Sequence, residues 1–352
     1  MKFNLLADRD LPELASAFPS PFKITRYQNI KELQEALPYN NILLCRSTLK
    51  VDAALFQGNQ VEWVLTASSG RCHIDELYLK AKNTKILDAK GSNANAVVDY
   101  VSFCLAALNA PIKDIGIIGY GEVGSRLYKK LLLLGYTNII TYDPFKKSPN
   151  ARDLDSIFNC DLVCIHPNLH KDEPYPSYKL VNALLIQKRK PHQIILNAAR
   201  GNVVDEEALL KYHQGIYITD VYANEPNINP LIINHATIAT PHIAGHTIEA
   251  KIDSVRLLSI KLHKSLHLPC PNFTPHEPTS RGLTAGSSDV ERFLYPAVKP
   301  RDVEVLVKPQ DVGVDRAIIN YNPLIETNQL KKDPTANMFL KLRKSHLRHA
   351  VE

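Results

Sequence analysis

Six consecutive residues, Gly119-Tyr120-Gly121-Glu122-Val123-Gly124, constrain this chain more than any other feature. The apolar run before them, Ile115-Gly116-Ile117-Ile118, reads as a buried strand. After them Val123, Leu127, Leu131 and Leu134 fall at helical spacing, so a helix opens at the last glycine. A glycine pattern alone is weak evidence, but a strand, a glycine turn and a helix in that order form a dinucleotide cradle. Gly119 permits the tight turn, Gly121 lets the backbone approach a pyrophosphate, and Gly124 lets helix and strand pack closely. The first helical amides and the positive end of the helix dipole then face the phosphates. Glu122 and Val123 sit within the turn and join the glycines as candidate cofactor contacts.

Asp143 closes the next apolar run, Asn138-Ile139-Ile140-Thr141-Tyr142-Asp143, nineteen residues after Gly124. A carboxylate there hydrogen-bonds a ribose 2′-hydroxyl and repels a 2′-phosphate, which favours NAD. Lys146 and Lys147 follow and offer charge that would serve NADP instead.

Strand and helix signals alternate through about residue 270. Strand candidates are 41–45, 61–66, 115–118, 138–142, 161–165, 193–197, 216–221 and 236–240; helical patterns cover 93–109, 122–134, 205–213 and 247–266, with Asp205 as an N-cap. Such alternation is the mark of α/β folds with doubly wound parallel sheets. The glycine turn does not begin the chain, so a smaller α/β unit precedes the nucleotide domain. From Pro269 to Pro309 seven prolines interrupt every helical pattern, and 336–348 is helical and amphipathic again.

Three polar residues each lie just after an apolar run that reads as a buried strand: Arg200 in the setting 194–201, Glu225 in 218–226 and His242 in 239–245. In an open α/β sheet ligands bind beyond the carboxyl ends of the strands, where these side chains can converge. The set suits oxidation of a 2-hydroxy acid. Arg200 can clamp the carboxylate with two charge-assisted bonds. His242 can take the hydroxyl proton as hydride leaves the same carbon. Glu225 can orient the imidazole and tune its basicity. Asp220 and Gly245, on the same two loops, complete the candidate cofactor contacts.

With the glycine turn and this Arg–Glu–His order on view, the chain resembles the D-isomer-specific 2-hydroxyacid dehydrogenases. Within them it looks like a branch that acts on a phosphorylated four-carbon acid, through 45–51 (Cys-Arg-Ser-Thr-Leu-Lys-Val), 91–98 (Gly-Ser-Asn-Ala-Asn-Ala-Val-Val) and 242–247 (His-Ile-Ala-Gly-His-Thr). The resemblance implies a discontinuous substrate domain, 1–91 completed by about 247–268. It implies a Rossmann NAD domain at 92–246, and a short C-terminal dimerisation region at 269–352, with hinges near Gly91 and Gly245. It implies that Ser47, Ser68 and His246 touch substrate, and Arg46 offers a guanidinium that matches a phosphate. The chain departs from the branch at Ser68 (usually threonine), Arg71-Cys72 (usually Thr-Asp), His246 (usually tyrosine) and Pro167 (usually threonine). Proline has no amide or hydroxyl to give a cofactor.

The remaining signals narrow the function class. A net charge of +6 with no long basic run interleaved with aromatics argues against nucleic acid, while suiting an anionic substrate. No apolar stretch is long enough to span a bilayer, and charge at Lys2 and Asp8 comes too early for a signal peptide. Six scattered cysteines without metal-ligand spacing read as reduced thiols of a cytoplasmic protein that binds no metal. The expectation is an NAD-dependent dehydrogenase for a small phosphorylated 2-hydroxy acid. It is a homodimer through tail residues such as Met338, Phe339, Leu340 and Leu342. The rivals are a dehydrogenase of 3-phosphoglycerate or glycerate, and a catalytically silent NAD-sensing regulator.

Overall fold

The structure, a computed structural model, describes residues 3–108, 110–188, 190–273 and 323–349. The chain divides into two compact units, Met1–Asn93 with Ile248–Glu277 and Ala94–Thr247 with Pro278–Glu352.

The first unit holds five parallel strands: β1 (Phe3–Asp8), β2 (Phe22–Tyr27), β3 (Ile42–Cys45), β4 (Trp63–Thr66) and β5 (Lys85–Asp88), in the order β2-β1-β3-β4-β5. Side chains alternate across the sheet, and both faces are covered. One face sets Leu5, Ala7, Leu44 and Leu65 against Val255, Leu258 and Leu262 of the Ile248–Ser265 helix. The other sets Leu6, Leu43 and Val64 against Leu33, Leu37 and Phe56. Each such burial contributes about 1.5–3 kcal/mol, which is why the central strands read as unbroken apolar runs. The Ile248–Ser265 helix is tied down twice more. Arg256 makes a two-pronged pair with Glu13 at 2.8 and 3.1 Å, and the Ser259 hydroxyl donates to the Ala17 carbonyl.

The second unit is a six-stranded parallel sheet of β6 (Asp114–Ile118), β7 (Asn138–Tyr142), β8 (Leu162–Ile165), β9 (Ile194–Asn197), β10 (Ile216–Thr219) and β11 (Ile238–Ala239), in the order β11-β10-β9-β8-β6-β7. A bridge from Thr141 to Ala151 adds one more parallel contact beyond β7. The strand order reverses between β6 and β8, so the glycine turn after β6 opens at a topological switch point. The Ala94–Ala107 and Glu122–Leu133 helices cover one face through Val101, Leu105, Leu127 and Leu131.

All eight strand candidates and four helical patterns have counterparts, and the Asp205 carboxylate accepts the Ala208 amide as the N-cap of Glu206–Tyr212. Strands β1, β2 and β5 lie outside those candidates.

The tail requires a correction. Its helices Pro323–Lys332 and Ala336–His349 dock on the second unit, with Leu330, Phe339 and Leu342 inside its core. The reason is the edge strand β11, two residues long, whose open ladder groups need partners. Thr327 Oγ1 accepts the Ala239 amide at 2.9 Å and donates to the Ala239 carbonyl at 3.1 Å. Phe339 and Leu342, expected at a dimer face, are therefore packed within their own unit, while Leu340 stays half exposed. The prolines from Pro275 to Pro309 lie outside the described residues.

Candidate active site

The glycine turn has the spacing its sequence implies. Gly119 has φ +87°, and a Cβ there would stand 2.7 Å from the Pro167 nitrogen. A Cβ on Gly124 would lie 2.0 Å from the Gly119 carbonyl oxygen. Around Gly121 a Cβ would meet nothing within 4 Å, so the backbone there opens onto free space. Gly121 is also the N-cap of Glu122–Leu133 and gives that helix end no side-chain partner. An open glycine at a helix start with uncapped amides fits a pyrophosphate. Val123 is half-buried against the core, and Glu122 points outward to pair with Arg126 at 3.3 Å.

Asp143 is half-buried at the end of β7. Its Oδ2 accepts the Tyr120 amide at 2.8 Å and its Oδ1 the Phe145 amide at 2.9 Å. The same carboxylate thus holds the glycine turn in place and keeps lone pairs for a ribose hydroxyl. Lys146 and Lys147 are exposed. Pro167 packs against Gly119, a close fit between the turn and the end of β8. Beside it His166 has both ring nitrogens buried without a protein partner, and burial pushes its pKa down to about 3.

Glu225 and His242 meet directly. His242 Nδ1 stands 2.6 Å from Glu225 Oε2, and Oε1 accepts the Tyr222 amide at 2.9 Å. Burial alone would raise the Glu225 carboxyl. The hydrogen bond and charge of His242, the Tyr222 amide and the charge of Arg343 outweigh it and leave the pKa low. Arg343 belongs to the tail helix, so the tail reaches this site electrostatically, a link the sequence reading missed. His242 has φ +58°, a left-handed conformation that an L-residue holds only when its surroundings fix it.

Those surroundings are built around Asp220. Its side chain is buried, and Oδ1 accepts the Thr240 hydroxyl at 2.6 Å and the Ile243 amide at 2.8 Å. Oδ2 accepts the Ala244 amide at 2.9 Å. The Tyr100 hydroxyl donates to Thr240 Oγ1 at 2.6 Å, and the Tyr222 hydroxyl to the Thr240 carbonyl at 3.0 Å. Burial pushes the Asp220 carboxyl up to about 6 despite these donors and the charge of His242. In this structure Asp220 therefore braces the turn that carries His242. Gly245 and His246 follow on the same turn, half-buried.

Arg200 is exposed at the end of β9, with Nη1 donating to the Ala199 carbonyl at 2.7 Å. The next residue sets its place. A Cβ on Gly201 would fall 1.9 Å from the Tyr222 carbonyl carbon, so only glycine lets these two loops touch. The Asn202 side-chain Nδ2 donates to the Ala223 carbonyl, and Glu206 Oε1 accepts the Ala223 backbone amide, both at 2.9 Å. Arg200, Glu225 and His242 are thus joined through loops fastened to one another.

The remaining candidates lie in the first unit. Ser47 is exposed in the turn after β3, and Ser68 is half-buried after β4 with its hydroxyl accepting the Gly70 amide at 3.3 Å. Arg46 is engaged: Nε pairs with Asp8 at 2.8 Å and Nη2 with Asp10 at 2.9 Å. Arg71 is engaged as well, by Asp88 at 2.7 Å and Glu76 at 3.2 Å. Among the described residues no cluster of three or more His, Cys, Asp or Glu is placed to hold a metal ion, and no helix is long and apolar enough to cross a membrane.

Comparison with known proteins agrees with this geometry. The family model of the D-isomer specific 2-hydroxyacid dehydrogenase, NAD binding domain, matches residues 105–244. The chain is 43% identical over 354 residues to the erythronate-4-phosphate dehydrogenase of Legionella pneumophila, covering 97% of this chain and 93% of the relative. It is 33% identical to that of Hahella chejuensis, covering 84% and 82%. Among solved structures, 3-phosphoglycerate dehydrogenase of Entamoeba histolytica with NAD+ bound superposes with a TM-score of 0.63 at 21% identity, covering 76% of this chain and 96% of that one. D-Lactate dehydrogenase of Aquifex aeolicus gives 0.59 at 20%, covering 75% and 95%. At such identities the structures speak for the fold.

Proposed function

The chain belongs to the erythronate-4-phosphate dehydrogenases, a branch of the D-isomer-specific 2-hydroxyacid dehydrogenases, and from that premise we propose the reaction it performs. It is an NAD-dependent enzyme that oxidises 4-phospho-D-erythronate at C2 to (R)-3-hydroxy-2-oxo-4-phosphooxybutanoate, a step of vitamin B6 biosynthesis. The observation that carries the reading is the 2.6 Å contact between Glu225 and His242. A protein that only sensed NAD would have no use for a proton-transfer pair.

NAD, held by the 119–124 turn and Asp143, supplies the hydride acceptor. The chain's own residues do the rest. Arg200 binds the substrate carboxylate and so orients C2 to direct its single hydrogen toward the cofactor. His242 takes the C2 hydroxyl proton on Nε2, since Nδ1 is committed to Glu225. Glu225, held ionised, stabilises the imidazolium that forms. Ser47, Ser68 and His246 contact the substrate. The test is a panel of 4-phosphoerythronate, 3-phosphoglycerate and glycerate followed at the NADH absorbance. Preference for 4-phosphoerythronate is expected, and preference for 3-phosphoglycerate would move the chain to another branch.

The enzyme is cytoplasmic, a setting that suits six unpaired thiols, and homodimeric. With Phe339 and Leu342 packed at home, Leu340 is a half-exposed apolar residue for a partner among the described residues of the tail. Sedimentation of the full chain checks this: a dimer is expected, and a monomer at micromolar concentration overturns it.

A further inference from the structure

Lys251 stands where its helix should carry an apolar residue. Positions 251, 255, 258 and 262 form one stripe of the Ile248–Ser265 helix, and Val255, Leu258 and Leu262 are fully buried in the core of the first unit. Lys251 opens the stripe and is half-buried. The helix is anchored at Arg256 and Ser259, so Lys251 lies about 7.5 Å further toward its N-terminus, at 1.5 Å per residue. The stripe it opens packs, through Val255 and Leu258, in one core with Ala7 of β1 and Leu44 of β3, and the charges of Arg46, Asp10 and Asp8 at the ends of those strands act on it. Among the described residues its ammonium has neither a hydrogen bond nor an ion pair, unlike both neighbouring arginines.

We propose that Lys251 binds the phosphate of the substrate, while Arg46, held by Asp8 and Asp10, braces the strand ends beside it. The proposal rests on the phosphorylated-acid reading above and names a residue for it. A half-buried cation without a partner is costly until an anion meets it. Burial first, and then the charge of Arg46, lower the Lys251 pKa, a strain that a phosphate dianion would relieve. The two nearby acids do not forbid this. Asp8 is neutralised by Arg46, and the Asp10 side chain is 58% exposed, where solvent screens its repulsion. Arg46 has committed Nε and Nη2, leaving it a minor role.

The test compares wild-type full chain with K251M and K251R, using 4-phosphoerythronate and unphosphorylated erythronate, and titrates inorganic phosphate by calorimetry. Methionine keeps the length and suits the apolar stripe, so K251M should fold, which a thermal melt verifies; K251Q replaces it if it does not. In K251M the KM for 4-phosphoerythronate should rise about tenfold or more relative to that for erythronate, and phosphate binding should be lost. K251R should recover most of both. A similar change for the two acids, or undiminished phosphate binding, would overturn the assignment. Should the wild type fail to oxidise 4-phosphoerythronate, the functional reading fails, and the phosphate titration alone then decides Lys251.

Discussion

The loops that carry Glu225 and His242 and the strand ends that carry Arg46 and Arg71 solve opposite problems. In the second unit the charged groups are acids sunk into main chain: Asp220 accepts two amides and a hydroxyl, and Glu225 accepts an amide and an imidazole. In the first unit they are arginines about one-third exposed, each held by two acids. Backbone donors fixed by a turn cannot swing away, so the first arrangement is preorganised for one chemistry. Surface ion pairs contribute at most about 1 kcal/mol and are easily rearranged, so the second suits adjusting which substrate is accepted. On the proposed function, chemistry and selectivity are built from different materials.

The sharpest way to break this contrast is at His242. His242→Ala should lower kcat by about a hundredfold to ten-thousandfold, the reach of general acid–base catalysis. Glu225→Gln keeps the contact but removes the charge that favours the protonated ring. Oxidation needs the unprotonated imidazole, so the acid limb of the pH–rate profile should move to lower pH. An unmoved limb in that mutant would mean that Glu225 only positions the ring. The depressed carboxyl also has a stability consequence. Ionised Glu225 contributes above its unfolded pKa, near 4.5, and that contribution is lost as pH falls through the lower folded value.

Asp220 ranks next. Asp220→Asn offers the Ile243 and Ala244 amides one oxygen and one competing NH2 group, so the left-handed turn at His242 should loosen. A kcat loss of roughly ten- to hundredfold is expected, smaller than at His242 because the ring remains. The raised carboxyl works in the opposite sense to Glu225. With a folded pKa of about 6 above an unfolded 3.8, its share of stability is full below pH 4 and is lost as pH rises through 6. The wild type should therefore show a stability decrement between pH 4 and 6 that D220N lacks. Denaturant titrations across that window would show it, and matching pH dependence in both proteins would sink the role given to Asp220.

The same contrast explains what could be read from the sequence. The glycine turn was legible because Gly119 and Gly124 leave room for no other residue, and Arg200, Glu225 and His242 because each follows a buried strand. The strands β2 and β5 were not, since they are the edges of their sheet and mix exposed Lys23, Arg26 and Lys85 with apolar residues. Nor was the pinning of Arg46, because Asp8 lies 38 positions away on a strand that only the fold brings alongside. Tyr100 and Thr240 share a hydrogen bond across 140 positions with no local pattern to announce it. Lys251 had a signal, a lysine in an apolar helical stripe, which reads as a surface residue until Val255 and Leu258 are seen to be core.

Asp143 tests the cofactor side of the second unit. Asp143→Ala should narrow the preference for NAD over NADP by about tenfold, through loss of a hydrogen bond and of a repulsion. Because its carboxylate also holds the Tyr120 and Phe145 amides, the KM for NAD should rise as well. Wild-type activity equal with both cofactors would shift the weight to Lys146 and Lys147.

The smallest effect, and the one that most sharpens the comparison, belongs to Arg46. If its guanidinium were the phosphate site, Arg46→Ala would raise the KM for 4-phosphoerythronate by about tenfold, as the loss of a charge-assisted bond does. Its Nε and Nη2 are already committed to Asp8 and Asp10, so the expected rise is only about two- to threefold. The larger consequence should be structural. Removing Arg46 leaves the Asp8 side chain, only 9% exposed, without its charge partner, while Asp10 relaxes into solvent. A loss of about 1 kcal/mol in stability follows, discounted because the pair is partly screened. R46A and R46K should separate the two roles: lysine restores a charge near Asp8 but not the forked contact to both acids. A tenfold KM effect at unchanged stability would return the phosphate to Arg46 and make the first unit's arginines binding groups rather than braces.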